Sequence, residues 1–258
     1  MRFCEHAIDP EESWHCRRWP LVHGGGLAAD SWELTINEIH RLAPELTVFA
    51  PDLPGRRSKP GDLRELTIAD FVDSVVGDIE SAGLDDVVIV GHSIGAVTVL
   101  GAVRRLGMAQ VREMVLAAAL MPAEGGAIAD SLAGPAAALA RYRAKKGVLR
   151  QTPWWWTRFA YLNGIPRVRR RFMRNKLYGE SPVILTEDVS RPDIPDELPR
   201  TWILTTRDRA LSAKTQRKAI EALGGAQALI EMDTCHCMMV SEPERLAEIL
   251  VERCRLYE

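Results

Sequence analysis

The sequence of 258 residues is informative first through what it lacks. No stretch approaches the roughly 18 uninterrupted apolar residues of a membrane span, and the charged and polar residues from Met1 to Trp19 hold no apolar signal segment. The expectation is a cytoplasmic chain with no membrane partner. No C-x-x-C pair occurs, and five cysteines, Cys4, Cys16, Cys235, Cys237 and Cys254, cannot all pair within one chain, so reduced thiols are expected. Neither sign of charge dominates: 33 Lys+Arg stand against 35 Asp+Glu for a net charge of −2, which argues against a nucleic-acid partner. There is no internal repeat. One further absence is local: residues 131–179 contain twelve Lys or Arg and no Asp or Glu, so a segment at +12 sits beside a remainder at −14.

What is present is an alternation of short apolar runs and helical periodicity. Trp19–Val22, Thr47–Ala50, Asp86–Val90 and Val111–Leu120 read as strands; Trp32–Leu42, Ile68–Ala82 and the residues after Ser93 up to Leu106 read as helices, with Thr67 as an N-cap. The rhythm resumes with Thr201–Thr205, Ser212–Leu223, Ala228–Met232 and Glu242–Leu256. Such alternation predicts an α/β protein: a mainly parallel sheet flanked by helices. Eight prolines between 121 and 199 interrupt any long helix there. The division expected is a core of residues 1–120 and 200–258 with residues 121–199 as an inserted cap.

Gly91-His92-Ser93-Ile94-Gly95 lies between the strongest strand and a helix. A nucleophile on a sharp strand-to-helix turn needs small residues two positions to either side, because larger side chains would collide. By chance such a pattern arises in roughly one chain in ten of this length, so its position between a strand and a helix supplies the argument. A serine hydroxyl is a poor nucleophile unless a base removes its proton and a third group orients that base. His236, after the last strand, and Asp208, after Thr201–Thr205, complete the chain order Ser, Asp, His. Arg207 and Arg209 offer Asp208 an ordinary ion pair as an alternative. His23-Gly24-Gly25-Gly26 follows the first strand, where glycines let the backbone pass close to a substrate. The backbone N–H groups of Gly25 and Ile94 are the expected oxyanion hole, with Gly24 beside the substrate. Cys235-His236-Cys237 is a poor zinc site, because adjacent residues do not readily converge on one ion and no second ligand cluster exists.

On these residues the chain resembles the α/β-hydrolase superfamily, within it the branch of plant methylesterases, hydroxynitrile lyases and their bacterial esterase relatives. The resemblance also runs through Ser31-Trp32, Pro51-Asp52-Leu53-Pro54-Gly55, Leu116–Pro122 and Thr205–Leu211, and covers about residues 18–122 and 200–257. It implies an α/β-hydrolase fold of eight strands, or a version trimmed of early strands, a Ser93–His236–Asp208 triad and no cofactor or metal. Hydroxynitrile lyases of this branch need a lysine where Cys237 stands and a threonine where Gly24 stands, so the resemblance argues against cyanohydrin cleavage. Ala96 replaces a usual second glycine. The hormone-sensitive-lipase group carries Asp where this chain has His92.

The cap leaves two questions open. Trp154-Trp155-Trp156, followed by Phe159 and Tyr161, reads either as an aromatic wall over Ser93 that binds substrate or as packing between cap and core. The basic run, with Arg167, Arg169, Arg170, Arg171 and Arg174, is a solvated face, a means of steering anionic substrates, or a dock for an acidic carrier protein. The resulting expectation is a serine hydrolase for a small-molecule ester or lactone, neutral or anionic. A thioesterase on coenzyme A or carrier-protein thioesters is the alternative, and a ligand-binding protein with an idle triad is the rival from another class.

Overall fold

The computed structural model describes residues 18–132, 135–147, 151–190 and 194–257; Cys4 and Cys16 lie outside them. The apolar runs form strands β1 (Arg18–Val22), β2 (Thr47–Phe49), β3 (Val87–His92) and β4 (Val111–Ala117). Helices α1 (Glu33–Leu42), α2 (Ile68–Ser81) and α3 (Gly95–Leu106) alternate with them. Between β4 and the next core strand lie the short β5 (Gly126–Ala127) and β6 (Asp188–Val189), and α4 (Pro135–Lys145), α5 (Trp154–Trp156), α6 (Arg167–Phe172) and α7 (Val183–Thr186). The core resumes with β7 (Arg200–Thr205), α8 (Ala213–Ala222), β8 (Ala228–Met232), α9 (Met238–Ser241) and α10 (Pro243–Arg255).

Six strands in the order β2-β1-β3-β4-β7-β8 form the main sheet, every neighbouring pair parallel. This is the α/β-hydrolase fold in trimmed form; the eight-stranded version is not found among the described residues. All six residues of β3 are buried, which is why that segment has no polar alternation. Val87 and Ile89 face a core with α2 and α3, while Val88 and Val90 face one with α10. The apolar stripe Phe71, Val72, Val75, Val76 and Ile79 of α2 enters the first core as the spacing predicts. Its start is fixed by a reciprocal capping box, in which the Asp70 N–H donates to Thr67 Oγ1 and the Thr67 N–H donates to the Asp70 carboxylate.

Two boundaries differ from the sequence expectation, both beside the candidate nucleophile. The strand expected to reach Leu120 ends at Ala117, because Ala118 turns the chain with φ of 43° and gives its N–H to the Ile203 carbonyl. The helix expected directly after Ser93 begins one residue later, at Gly95, because Ser93 has φ of 54° and Ile94 serves as the cap. Ala118 and Ser93 occupy the left-handed region that non-glycine residues seldom adopt.

The segment between β4 and β7 is built from short pieces. Pro153, Pro166 and Pro182 immediately precede α5, α6 and α7, so these prolines launch short helices as well as preventing long ones. It packs apolar residues such as Leu162, Met173 and Ile184 into the two cores and is tied to the core by polar bonds as well. The Tyr178 N–H donates to the Gly26 carbonyl at 2.8 Å, Lys176 reaches Glu33 at 2.8 Å, and Arg169 pairs with Glu244. No helix among the described residues is long and apolar enough to cross a membrane.

Candidate active site

Ser93 stands at the turn between β3 and α3, and the local glycines are there for close approach. A Cβ at Gly95 would lie 2.4 Å from the His23 carbonyl oxygen, and one at Gly91 would lie 3.0 Å from the Ala96 Cα. Ala96, in place of the usual glycine, is fully buried in the first core. The Ser93 N–H donates to the Ala117 carbonyl, and its own carbonyl accepts from Ala96 and Leu120, so the uncommon φ is held by backbone bonds on both sides.

The loops after β7 and β8 bring the other two residues to the same edge of the sheet. Ser93 Oγ lies 3.1 Å from His236 Nε2, and His236 Nδ1 lies 2.7 Å from Asp208 Oδ2. All three side chains are buried. The Asp208 carboxylate is saturated: Oδ1 accepts the Ala210 and Leu211 N–H groups, each at 2.7 Å, and Oδ2 accepts the Thr205 hydroxyl at 3.0 Å as well as the imidazole. Burial on its own would raise this carboxyl, but the His236 ring and these hydrogen bonds outweigh it and hold it below the usual carboxylate range. It therefore stays ionised and fixes the proton of His236 on Nδ1, leaving Nε2 free to accept. The arginines beside it do not compete. Arg207 pairs with Asp233 at 3.0 Å, and Arg209 lies over the Phe159 ring.

The His23–Gly26 turn passes in front of Ser93. A Cβ at Gly24 would lie 2.7 Å from His92 Nδ1 and 2.9 Å from Ser93 Cβ, and one at Gly25 would lie 2.5 Å from Ile94 Cδ1. A side chain at Gly24 would collide with the His92 ring and Ser93, and one at Gly25 would displace the Ile94 side chain. Among the described residues, neither the Gly25 nor the Ile94 amide donates to another group. Two amides beside a serine hydroxyl, with no internal partner, are the donors an oxyanion requires.

Several supporting residues escape sequence reasoning. Arg56 and Glu180 form a buried ion pair at 2.7 Å. Glu180 also accepts the Gly26 N–H at 2.9 Å, while Arg56 donates to the Leu27 carbonyl at 2.8 Å, so the pair grips both sides of the glycine turn. The two residues are 124 positions apart, and no local pattern links them. His23 accepts the Leu53 N–H at Nε2 and donates from Nδ1 to the Gly24 carbonyl; His92 donates from Nε2 to the His236 carbonyl. Burial drives both imidazoles down to about 3, so they are neutral scaffolding for the turn and for the His236 loop. Gln216 donates to Thr205 Oγ1 at 2.9 Å and so orients the hydroxyl that binds Asp208.

Of the aromatic cluster, the ring beside the histidine belongs to Tyr161, not to a tryptophan. Its centroid lies 5.2 Å from that of His236, and burial pushes its phenol up to about 12. Trp154 is half-buried against the second core, whereas Trp155 and Trp156 are 68% and 40% exposed. Of the two readings, Trp154 follows the packing one, and the contacts of Trp155 and Trp156 are with each other and with Phe159. The Cys237 N–H donates to the Tyr161 carbonyl, and burial lifts the Cys235 and Cys237 thiols above their ordinary range.

The architecture has close counterparts among solved structures. An extracellular α/β-hydrolase from a Paenibacillus species, described as sharing structural and functional homology with tobacco salicylic acid binding protein 2, superposes with a TM-score of 0.80 at 20% identity; 91% of this chain and 98% of that one are covered. A pyrethroid hydrolase from Sphingobium faniae gives 0.75 at 19% identity, over 93% and 98% of the two chains. Tomato methylketone synthase I, bound to 2-tridecanone, gives 0.74 at 16% identity, over 94% and 99%. No curated protein matches the chain by sequence. The model of the alpha/beta hydrolase family matches residues 21–249, nearly the whole of the described chain, and the protein belongs to that family.

Proposed function

We propose that the protein hydrolyses a carboxylic ester or lactone through an acyl-enzyme on Ser93. The observation that carries this reading is the continuous path from Ser93 Oγ to His236 Nε2 at 3.1 Å and from His236 Nδ1 to Asp208 at 2.7 Å, beside two unpartnered amides. Ser93 Oγ attacks the carbonyl carbon while its proton passes to His236 Nε2. The Gly25 and Ile94 amides bind the resulting oxyanion, and Asp208 stabilises the imidazolium. Collapse breaks the C–O bond, and the departing alkoxide takes the proton from Nε2. Water, deprotonated by the same nitrogen, then attacks the acyl carbon, the bond to Ser93 Oγ breaks, and Oγ takes the proton back from Nε2 as the acid leaves. Protein groups and water suffice for each step.

The basic segment favours one alternative substrate class, acyl thioesters of coenzyme A or of an acidic carrier, whose negative charge it would attract. Side-by-side turnover of an aryl ester and matched acyl thioesters distinguishes them: faster ester turnover, abolished in Ser93→Ala, is expected. Preference for the thioester would move the reading to a thioesterase, and turnover retained in Ser93→Ala would end the serine mechanism for both. The buried thiols of Cys235 and Cys237 support our placing the protein in a reducing, cytoplasmic setting.

A further inference from the structure

The insertion carries a surface that the proposed hydrolysis does not use. Of the nine large hydrophobic side chains exposed among the described residues, six lie between 131 and 179: Leu139, Tyr142, Trp155, Trp156, Phe159 and Val168. All four exposed aromatic rings are among them. This is the same stretch that contains twelve basic residues and no acidic one. Three of the rings form a ladder, with Trp155 and Trp156 centroids 5.8 Å apart and Trp156 and Phe159 centroids 5.6 Å apart. Cations sit against the rings: Arg209 lies 5.0 Å from the Phe159 centroid and Lys146 lies 5.6 Å from that of Tyr142. Neither α5 nor α6 fully buries a single residue: Trp154 and Phe172 pack against the second core, while Trp155, Trp156 and Val168 face outward. Arg143 and Arg158 have no carboxylate partner among the described residues.

Exposed tryptophan and tyrosine rings mixed with unpaired arginines match the headgroup region of a lipid bilayer, which takes the rings at the acyl boundary and the cations at the phosphates. We propose that the insertion docks this protein peripherally on an anionic lipid surface. An acidic protein partner would satisfy the charge, but the rings stand on separate short elements and line no single groove, which suits a surface that conforms to them. The placement also connects to the candidate active site. Trp156 lies near Tyr161, and the Tyr161 ring lies against His236, so the docked face is one side chain away from the base. The sequence expectation of no membrane partner rested on the lack of a spanning helix, which peripheral docking does not require.

Co-sedimentation of the full chain with vesicles of phosphatidylglycerol and of phosphatidylcholine tests the proposal. Sedimentation with the anionic vesicles only, accompanied by a blue shift of tryptophan emission, is expected. Arg158→Gln should weaken binding about fivefold, the share of one basic residue near an anionic surface. Trp155→Ser should remove much of the blue shift. Far-UV circular dichroism and melting check that each variant is folded, and the wild-type comparison between lipids decides the matter if either is not. Equal or no sedimentation with the two lipids overturns the proposal. So does tight binding to an acidic acyl carrier protein by a chain that ignores the vesicles.

Discussion

All six residues of β3 are buried, whereas α5 and α6 of the insertion bury none. The two core halves are held by apolar side chains on both faces of a parallel sheet. The insertion is held by apolar side chains that enter both cores, Ile184 and Val189 in the first and Leu162, Ile165 and Met173 in the second, and by polar ties: Tyr178 to Gly26, Lys176 to Glu33, and above all Glu180 to Arg56. The difference shows how the candidate site is fixed. Ser93, His236 and Asp208 stand at strand ends, whose positions follow from the core. The His23–Gly26 turn is instead gripped from the insertion side by the Glu180 carboxylate, a charge that has left water.

The comparison can be broken at several points, beginning with the largest effect. Asp208→Asn leaves the core intact but removes the group that fixes the His236 tautomer, and kcat should fall about 10⁴-fold. A loss under tenfold in steady-state kinetics would mean that Asp208 is an ordinary structural acid. Trp202 in β7 is fully buried, and its truncation to alanine should cost about 3–5 kcal/mol in denaturant unfolding. Glu180→Ala should cost a similar amount, about 3–5 kcal/mol, because it strands the Arg56 guanidinium in the interior. Unlike Trp202→Ala, it should also lower kcat of the folded fraction with little change in KM, by less than the roughly 10²–10³ of a deleted oxyanion donor. Unchanged kcat in Glu180→Ala would confine the pair to stability.

The buried histidines give the next effect. His23 and His92 stay neutral in the fold down to about 3, whereas in the unfolded chain they take up protons below 6.5. Between those values the unfolded state binds more protons, so stability is full above the window and falls as pH drops through it, with a slope approaching about 2.7 kcal/mol per pH unit. His92→Gln should roughly halve that slope in unfolding experiments at several pH values; an unaltered slope would show that the ring is protonated in the fold. The smallest effect is expected at the surface. Trp155→Ala should shift stability by no more than about 0.5 kcal/mol, and a loss near that of Trp202→Ala would mean that the insertion has a core of its own.

The same division explains what could be read from the amino acids. Strands such as β7, expected at Thr201–Thr205 and found at Arg200–Thr205 with every residue buried, were legible because burial selects apolar side chains on neighbouring residues. Ser93, Asp208 and His236 were legible because the turn chemistry at strand ends is local. The strand end at Ala117 was not, since it depends on the left-handed Ala118 and a bond to Ile203. Nor were Arg56 and Glu180, ordinary charges until folding places them 2.7 Å apart. The run of tryptophans left two readings open for a related reason: composition gives the rings, but only packing separates half-buried Trp154 from exposed Trp155, and puts Tyr161 beside His236.

The central claim is that Ser93 is a nucleophile activated by His236, and covalent capture tests it most directly. A fluorophosphonate should lose fluoride to Ser93 Oγ and leave one phosphonyl group per chain, located by peptide mass spectrometry in the segment containing Gly91–Gly95. The predicted result is complete labelling of the wild type, none of Ser93→Ala, and strongly slowed labelling of His236→Ala. An unlabelled wild type, or a Ser93→Ala variant labelled as fully as the wild type, would contradict it.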